Sequence, residues 1–341
     1  MLSLKFSRPD LLRTLLLSLL LLVAGLANTL AFAPYQLTAL PLVTLALLSL
    51  VLFQCQSAGK AAWFGFIYGV GWFGLGVSWV HVSIATFGGM PLIASLAIMA
   101  LLVGYLALFP ALAIWFSWRF RGNFWFPLVL ASSWFIAENI RSWFLTGFPW
   151  LSVGYSQTDG WLASYAPLIG ETGINFILLL AAGSFALLWR YQPSRVVHGQ
   201  LAAAVVLLAL APVLGHFKGW QTNGVQVPVA LVQGNIRQEL RWAPEQELLT
   251  MKKYMQLTRP QLSERLVIWP EAAIPTTLTF HEALPFLEEM NSKASAANAA
   301  LFTGVIYEDR DKAAETVTQL SELFRTHLQA HLRPLSSLQE E

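Results

Sequence analysis

Glu271 is the residue of this chain best placed to do chemistry. It lies in an apolar run, Leu266 to Pro275, that reads LVIWPEAAIP, with Trp269 and Pro270 before the acid and Pro275 turning the chain after it. A strand that ends on one carboxylate is a rigid mount for a general base. A thiol-dependent reaction would also need a cysteine, and the one cysteine of the sequence is Cys55, far earlier in the chain. That single cysteine excludes an intramolecular disulfide framework and a cysteine-rich zinc site. Lys293 and Lys312 are the lysines after Glu271, and each reads as a solvated residue. His327 and His331 stand at i and i+4, a metal-binding spacing on a helix, but Leu328 occupies the glutamate position of HExxH and a solvated face is the plainer reading. Neither a metal nor a cofactor is expected.

What positions Glu271 begins in a bilayer. The 341 residues are 56% hydrophobic and 12% charged, with 14 tryptophans, against about 25% charged for an ordinary soluble domain. The net charge is +2 with scattered basic residues, which excludes the clustered footprint of a nucleic-acid binder. Lys5, Arg8 and Arg13 precede a leucine-rich run, and Ala31-Phe32-Ala33 resembles a signal-peptidase site. The run from Leu15 to Ala33 exceeds the 7 to 15 residues of a signal core, roughly, and further apolar stretches follow at once, so an uncleaved first helix is favoured.

Roughly 20 apolar residues cross a hydrocarbon layer of about 30 Å, and seven stretches are expected to do so. They lie near Leu11 to Ala33, Leu37 to Phe53, Ala61 to Val80, Leu92 to Trp118, Phe124 to Ala137, Gly173 to Trp189 and Val196 to Phe217. With the N-terminus in the cytoplasm, the inner segments carry Lys5, Arg8, Arg13, Lys60, Arg119, Arg121, Arg190 and Arg195, and the outer ones only Arg141. Positive loops stay inside, so everything after about residue 218 is placed outside, in a bacterium the periplasm. Cys55 then falls at the cytoplasmic end of the second span.

Within the spans, Gly65 and Gly69 followed by Gly71, Gly74 and Gly76 predict close helix packing. His81 reads as interfacial. Glu138 and Arg141 lie one turn apart and predict a local ion pair at the membrane edge, although an intramembrane acid is also a functional candidate. Between the fifth and sixth stretches, TGFPW at 146–150, GYSQ at 154–157 and GETG at 170–173 form an almost uncharged aromatic loop. It suits the headgroup layer, either as simple anchoring or as a segment that admits or covers a lipid.

From Gln226 the pattern changes. Val227 to Gln233 and Leu266 to Trp269 read as strands, Leu301 to Tyr307 as a third, Asn235 to Trp242 as a polar loop, and Pro244 to Leu262 and His281 to Ala300 as helices. Strand, helix, strand, helix, strand implies an α/β layered domain with its active residues at the carboxyl ends of strands, where Glu271 lies.

The leading spans, the FPW and GYSQ loop, the LVQGNI strand, Arg241-Trp242 and above all IWPEAAIP resemble apolipoprotein N-acyltransferase, over about residues 1 to 310. The resemblance implies a polytopic α-helical membrane bundle over residues 1–220 and a partial nitrilase-like (α-β-β-α sandwich) domain over 221–310. It implies a bacterial inner-membrane enzyme that moves an acyl chain from a phospholipid donor to the N-terminal diacylglyceryl cysteine of a lipoprotein acceptor, through a thioester. Glu271 matches the family's general base, and Trp242 a tryptophan on a mobile loop implicated in substrate binding. Phe148, Pro149 and Trp150 are the further substrate-binding candidates.

The departures are equally specific. The family's lysine lies in a basic segment downstream of the glutamate, and its nucleophile comes later in a Cys-Tyr-Glu context; neither pattern occurs here. Residues 311–341 read instead as a polar helical tail unlike the family, as if the sequence were truncated or frame-shifted after about residue 310. Of the Glu-Lys-Cys triad only the glutamate is retained. The expectation is a family member inactive as it stands, or alternatively a non-catalytic membrane protein that binds phospholipid or lipoprotein.

Overall fold

The computed structural model describes residues 8–190, 195–214, 226–276 and 283–306, with side chains from residue 10 in the first segment and from residue 198 in the second. The chain divides into two units, Met1–Gln221 and Thr222–Glu341. His327, His331 and Lys312 lie outside the described residues.

The first unit is helical: α1 Arg8–Asn28, α2 Leu40–Leu52, α3 Ala58–Gly76, α4 Val80–Thr86, α5 Leu92–Ser117, α6 Phe126–Trp143, α7 Ala166–Arg190 and α8 Arg195–Leu214. Local signals set several starts. Ser57 caps α3 by accepting from the Lys60 amide at 3.2 Å, and prolines occupy the first turns of α2 and α6. Leu11, Leu12, Leu15, Leu16 and Leu19 of α1, Ile93 and Leu101 of α5, and Val205 and Val206 of α8 all face outward. A bundle with such an exterior is built for lipid rather than water.

Asp10–Thr29, Leu92–Phe120 and Trp161–Arg190 are long and apolar enough to cross a membrane, and α3 with α4, bent by 52°, makes a fourth candidate. Each of the seven apolar stretches contains a helix, though α2 and His198–Leu214 are shorter than a full span. Three expected boundaries change. The third stretch ends at Gly76 and bends rather than running to Val80. The fifth continues past Ala137 to Trp143, which puts Glu138 and Arg141 inside the helix. The sixth starts at Ala166, with a break at Gly170 (φ 68°).

Close approach depends on the glycines. A Cβ on Gly25 would lie 2.1 Å from the Tyr68 carbonyl oxygen and one on Gly71 2.2 Å from that of Leu22, so α1 and α3 touch backbone to backbone. The Gly65/Gly69 pair faces α5, where Ala107, Pro110 and Ala111 lie within 3.0 Å of their Cβ positions. Behind this contact Trp72 stacks on Phe73 (5.0 Å between centroids) and Trp134 (6.1 Å), all three buried. Thr44 joins α2 to its neighbours, with Asn28 and the Tyr68 hydroxyl each 3.1 Å from its Oγ1.

The second unit holds a three-stranded parallel sheet in the order β1 Val229–Leu231, β2 Leu266–Ile268, β3 Ala300–Phe302, joined through α9 Pro244–Thr258 and α10 Ala283–Ala296. Ala230 pairs with Val267 and Val267 with Leu301. These three point into a core with Met251, Tyr254 and Met290 from the helices, whereas Val229, Leu231 and Phe302 are exposed on the other face. The strands are shorter than the sequence pattern suggests because β2 leaves the ladder at Pro270, after a last bond from the Trp269 amide to the Phe302 carbonyl.

Gly71→Ala is expected to lower the stability of the bundle by about 1–3 kcal/mol through overpacking. Gly74→Ala, whose added methyl would meet only Val103 Cγ1 at 4.0 Å, should leave it unchanged. Thermal unfolding in detergent compares the two, and equal midpoints would contradict the packing argument.

Candidate active site

The Glu271 turn is anchored by the residue before its proline. The Trp269 amide donates to the Phe302 carbonyl at 2.9 Å, extending β2 by one bond. Its indole is buried between the rings of Tyr254 (5.2 Å) and Phe286 (6.1 Å), and Nε1 donates to Thr258 Oγ1 at 2.8 Å. Pro270 then directs the chain off the sheet, and the Ala273 amide closes the turn on the Pro270 carbonyl at 3.3 Å. Ala273 and Ile274 return to the core. Glu271 is thus held between two buried anchors with its side chain exposed.

A second grip comes from Arg241. Its Nη2 donates to the carbonyls of Glu271 and Ala272, the latter at 3.1 Å. Ala272 has φ 49°, a left-handed conformation that costs a non-glycine residue about 1–3 kcal/mol unless its surroundings impose it. The same guanidinium lies 5.9 Å from the ring of the exposed Trp242. Sequence reasoning noticed Arg241-Trp242 as a motif and missed what the arginine does. A cavity of about 430 Å³ opens at the carboxyl ends of β1 and β2, lined by Gln233, Asn235, Arg241, Thr250, Tyr254 and Ala272 among others. Its place at the strand ends is where layered α/β folds bind ligands.

Among the described residues, no side chain pairs with the Glu271 carboxylate, so its oxygens remain available to accept a proton. Lys293 is engaged elsewhere on α10, paired with Glu289 one turn earlier and 4.0 Å from Met255 Sδ. That ammonium holds the Glu289 carboxyl below its usual value. Cys55 belongs to the first unit, where it is buried with its thiol 3.5 Å from the Val51 carbonyl and its own carbonyl bonded by Trp118 Nε1 at 3.0 Å. His81 bonds the Ser78 carbonyl one turn earlier. Among the described residues no group of three or more His, Cys, Asp or Glu could hold a metal ion.

Phe148, Pro149 and Trp150 also belong to the first unit. After α6 the chain reverses through left-handed residues Leu145, Thr146 and Gly147. A Cβ at Gly147 would lie 2.0 Å from the Ser142 carbonyl oxygen, so only glycine fits there. The Phe148 and Trp150 rings then approach to 5.2 Å, Phe148 half-buried and Trp150 exposed. The local Glu138–Arg141 ion pair expected from spacing is a loose one, at 3.8 Å, and both side chains are buried. Arg141 gives its short bonds to the loop instead: Nη1 donates to the carbonyls of Phe148 (2.6 Å) and Trp150 (2.7 Å).

Residues 24–184 match the apolipoprotein N-acyltransferase N-terminal domain. The chain is 39% identical over 297 residues to the apolipoprotein N-acyltransferase of Vibrio parahaemolyticus, covering 84% of this chain and 56% of that protein. Over 304 residues it is 42% identical to that of Vibrio cholerae, with the same two coverages. It is 38% identical over 306 residues to that of Pseudomonas aeruginosa, covering 86% of this chain and 58% of the relative. The chain therefore spans a little over half the length of these curated relatives. With a lipid-facing helical bundle joined to a parallel α/β layer in one polypeptide, the chain is similar to the apolipoprotein N-acyltransferases over most of its own length.

Proposed function

We propose that this chain carries the membrane bundle and the base-bearing part of an enzyme that acylates lipoproteins from phospholipid. The observation that supports it most is Glu271, fixed at the end of β2 by Trp269 and Arg241 with its side chain exposed and, among the described residues, no partner on its carboxylate. In the reaction a thiolate attacks the acyl ester of a phospholipid. A C–S bond forms, the ester C–O bond breaks, and lysophospholipid leaves with a proton. The α-amine of the acceptor cysteine then attacks the thioester, forming C–N and releasing the thiol. Glu271 takes the proton from the thiol in the first step and from the amine in the second. Trp242, beside the arginine that grips the Glu271 turn, is the contact for substrate.

Among the described residues of the second unit there is no cysteine, and Lys293 pairs with Glu289 on α10; Cys55 is buried in the first unit. A polypeptide of this sequence is therefore expected to form no acyl-enzyme. Incubation with phospholipid radiolabelled in its acyl chains should leave it unlabelled, and a hydroxylamine-sensitive adduct would overturn the reading.

The same proposal includes seven crossings of the bacterial inner membrane, the N-terminus cytoplasmic and residues after about 218 periplasmic. Loop charge supports it, and Arg141, the one basic residue of the outer segments, is buried on main-chain carbonyls rather than facing solvent. At the opposite end of α5, Arg119 and Arg121 lie 3.8 Å over Trp115 and Trp118, a combination suited to an interface. Protease added to right-side-out vesicles should reach residues 226–306, and cleavage there only in inverted vesicles would reverse the orientation.

A second reading, a lipid-binding protein without catalysis, is favoured by the exposed Trp150 beside Phe148. Cross-linking to a photoactivatable phospholipid should then be lost in the Phe148→Ala, Trp150→Ala double variant; an unchanged yield would count against it.

A further inference from the structure

Glu138 and Arg141 are ionisable, buried and unused by the chemistry assigned to Glu271. Their contacts converge on one segment. Arg141 donates from Nη1 to the Phe148 and Trp150 carbonyls, and its own carbonyl accepts from the Phe148 amide at 2.9 Å. One residue thus holds the loop through main chain and side chain together. Glu138 fixes the residues just after the loop and those that flank the arginine. Its carboxylate accepts from Trp134 Nε1 at 3.2 Å, Ser152 Oγ at 2.9 Å, the Val153 amide at 3.3 Å and Asn175 Nδ2. Ser152 Oγ also lies 2.7 Å from Glu171 Oε2, which brings the start of α7 into the same network.

Both bonds come from Nη1, whose two N–H groups are fixed in the guanidinium plane, so two carbonyls two residues apart are set in direction as well as distance. Main-chain atoms at 148 and 150 are gripped, while Phe148, half-buried against the bundle core, and the exposed Trp150 approach ring to ring at 5.2 Å and form an aromatic surface. The geometry points to Arg141, oriented by Glu138, as the positioning residue that holds the Phe148–Trp150 pair against a phospholipid acyl chain. This rests on the reading of the Phe148-Pro149-Trp150 loop as a lipid contact.

The test uses the full chain in vesicles of phosphatidylethanolamine and phosphatidylglycerol containing a phospholipid with a diazirine in its acyl chain, with adducts mapped by peptide mass spectrometry. The unsubstituted chain should carry adducts on residues 148–150 and on the outward leucines of α1, Leu12, Leu16 and Leu19. In Arg141→Lys the charge remains and the planar pair of N–H donors is replaced by a freely rotating ammonium. The ratio of loop to α1 adducts should fall about tenfold, the factor of one charge-assisted hydrogen bond. Glu138→Gln keeps the size and loses the charge, and its ratio should fall in the same direction by less. An unchanged ratio in both variants overturns the inference. Adducts on α1 without any on the loop in the unsubstituted chain overturn instead the reading of the loop as a lipid contact. Should Arg141→Lys fail to fold and lose its α1 adducts as well, the ratio in Glu138→Gln decides alone.

Discussion

A guanidinium buried in a membrane bundle must find oxygen, and that requirement at Arg141 organises the C-terminal end of α6. Removing one partner from a buried ionic group typically costs about 3–5 kcal/mol, because the other is left uncompensated. Glu138 alone does not meet the need, since it lies 3.8 Å away and already accepts from Trp134, Ser152, Val153 and Asn175. The remaining acceptors are main-chain carbonyls, and the chain reaches them only by turning back on the helix. The left-handed conformations of Leu145 and Thr146 and the crowded Gly147 result from that return. Each left-handed non-glycine residue costs about 1–3 kcal/mol and persists only where its surroundings over-determine it. Here the arginine fork supplies the determination.

The second unit solves a similar problem by similar means. Ala272 is left-handed, and Arg241 bonds its carbonyl and that of Glu271. In both units an arginine holds a loop by its backbone, at Phe148 and Trp150 in one and at Glu271 and Ala272 in the other. The two arginines differ in burial. Arg141 is almost wholly enclosed, whereas Arg241 is partly open and lies over a neighbouring tryptophan. A partly open guanidinium is stabilised by water and needs fewer protein acceptors, so the Glu271 turn depends more on the buried Trp269 indole than on Arg241.

Much of this was legible in the sequence, and the gaps have a common cause. The apolar stretches, the parallel α/β order, the WPE strand end and the FPW loop are local signals, carried by hydropathy, alternation and turn residues, and the structure bears out helices and strands at those places. Hydropathy closed the fifth stretch at Ala137 because it treats Glu138 and Arg141 as solvent-facing. They instead satisfy groups brought in from residues 148–153 and 175, which no window over α6 contains. Arg241 was missed for the same reason, since its acceptors lie 30 and 31 residues away. The glycine pattern announced close packing correctly but not its partners, because Gly65 and Gly69 meet α5 whereas Gly71 meets α1. The three-residue strands came out shorter than the alternation suggested. A ladder lasts only as long as its central partner, and Pro270 takes β2 away.

The openness of the sheet bears directly on what Glu271 can do. Parallel sheets are ordinarily covered on both faces. Among the described residues, α9 and α10 cover the face of Ala230, Val267 and Leu301, while Val229, Leu231 and Phe302 remain uncovered. The nitrilase-like sandwich implied by the family places a second sheet against that face. A general base is effective only when donor, nucleophile and oxyanion partner converge on one atom, and a base alone contributes about 10²–10⁴ of a rate enhancement. The Glu271 side chain is exposed, and among the described residues of the second unit neither a thiol nor a cationic side chain pairs with it. Any chemistry proposed for the WPE turn therefore needs further groups to converge on the Glu271 carboxylate. The turn itself is already formed without them, held by the Trp269 indole, the Phe302 carbonyl and the Arg241 fork.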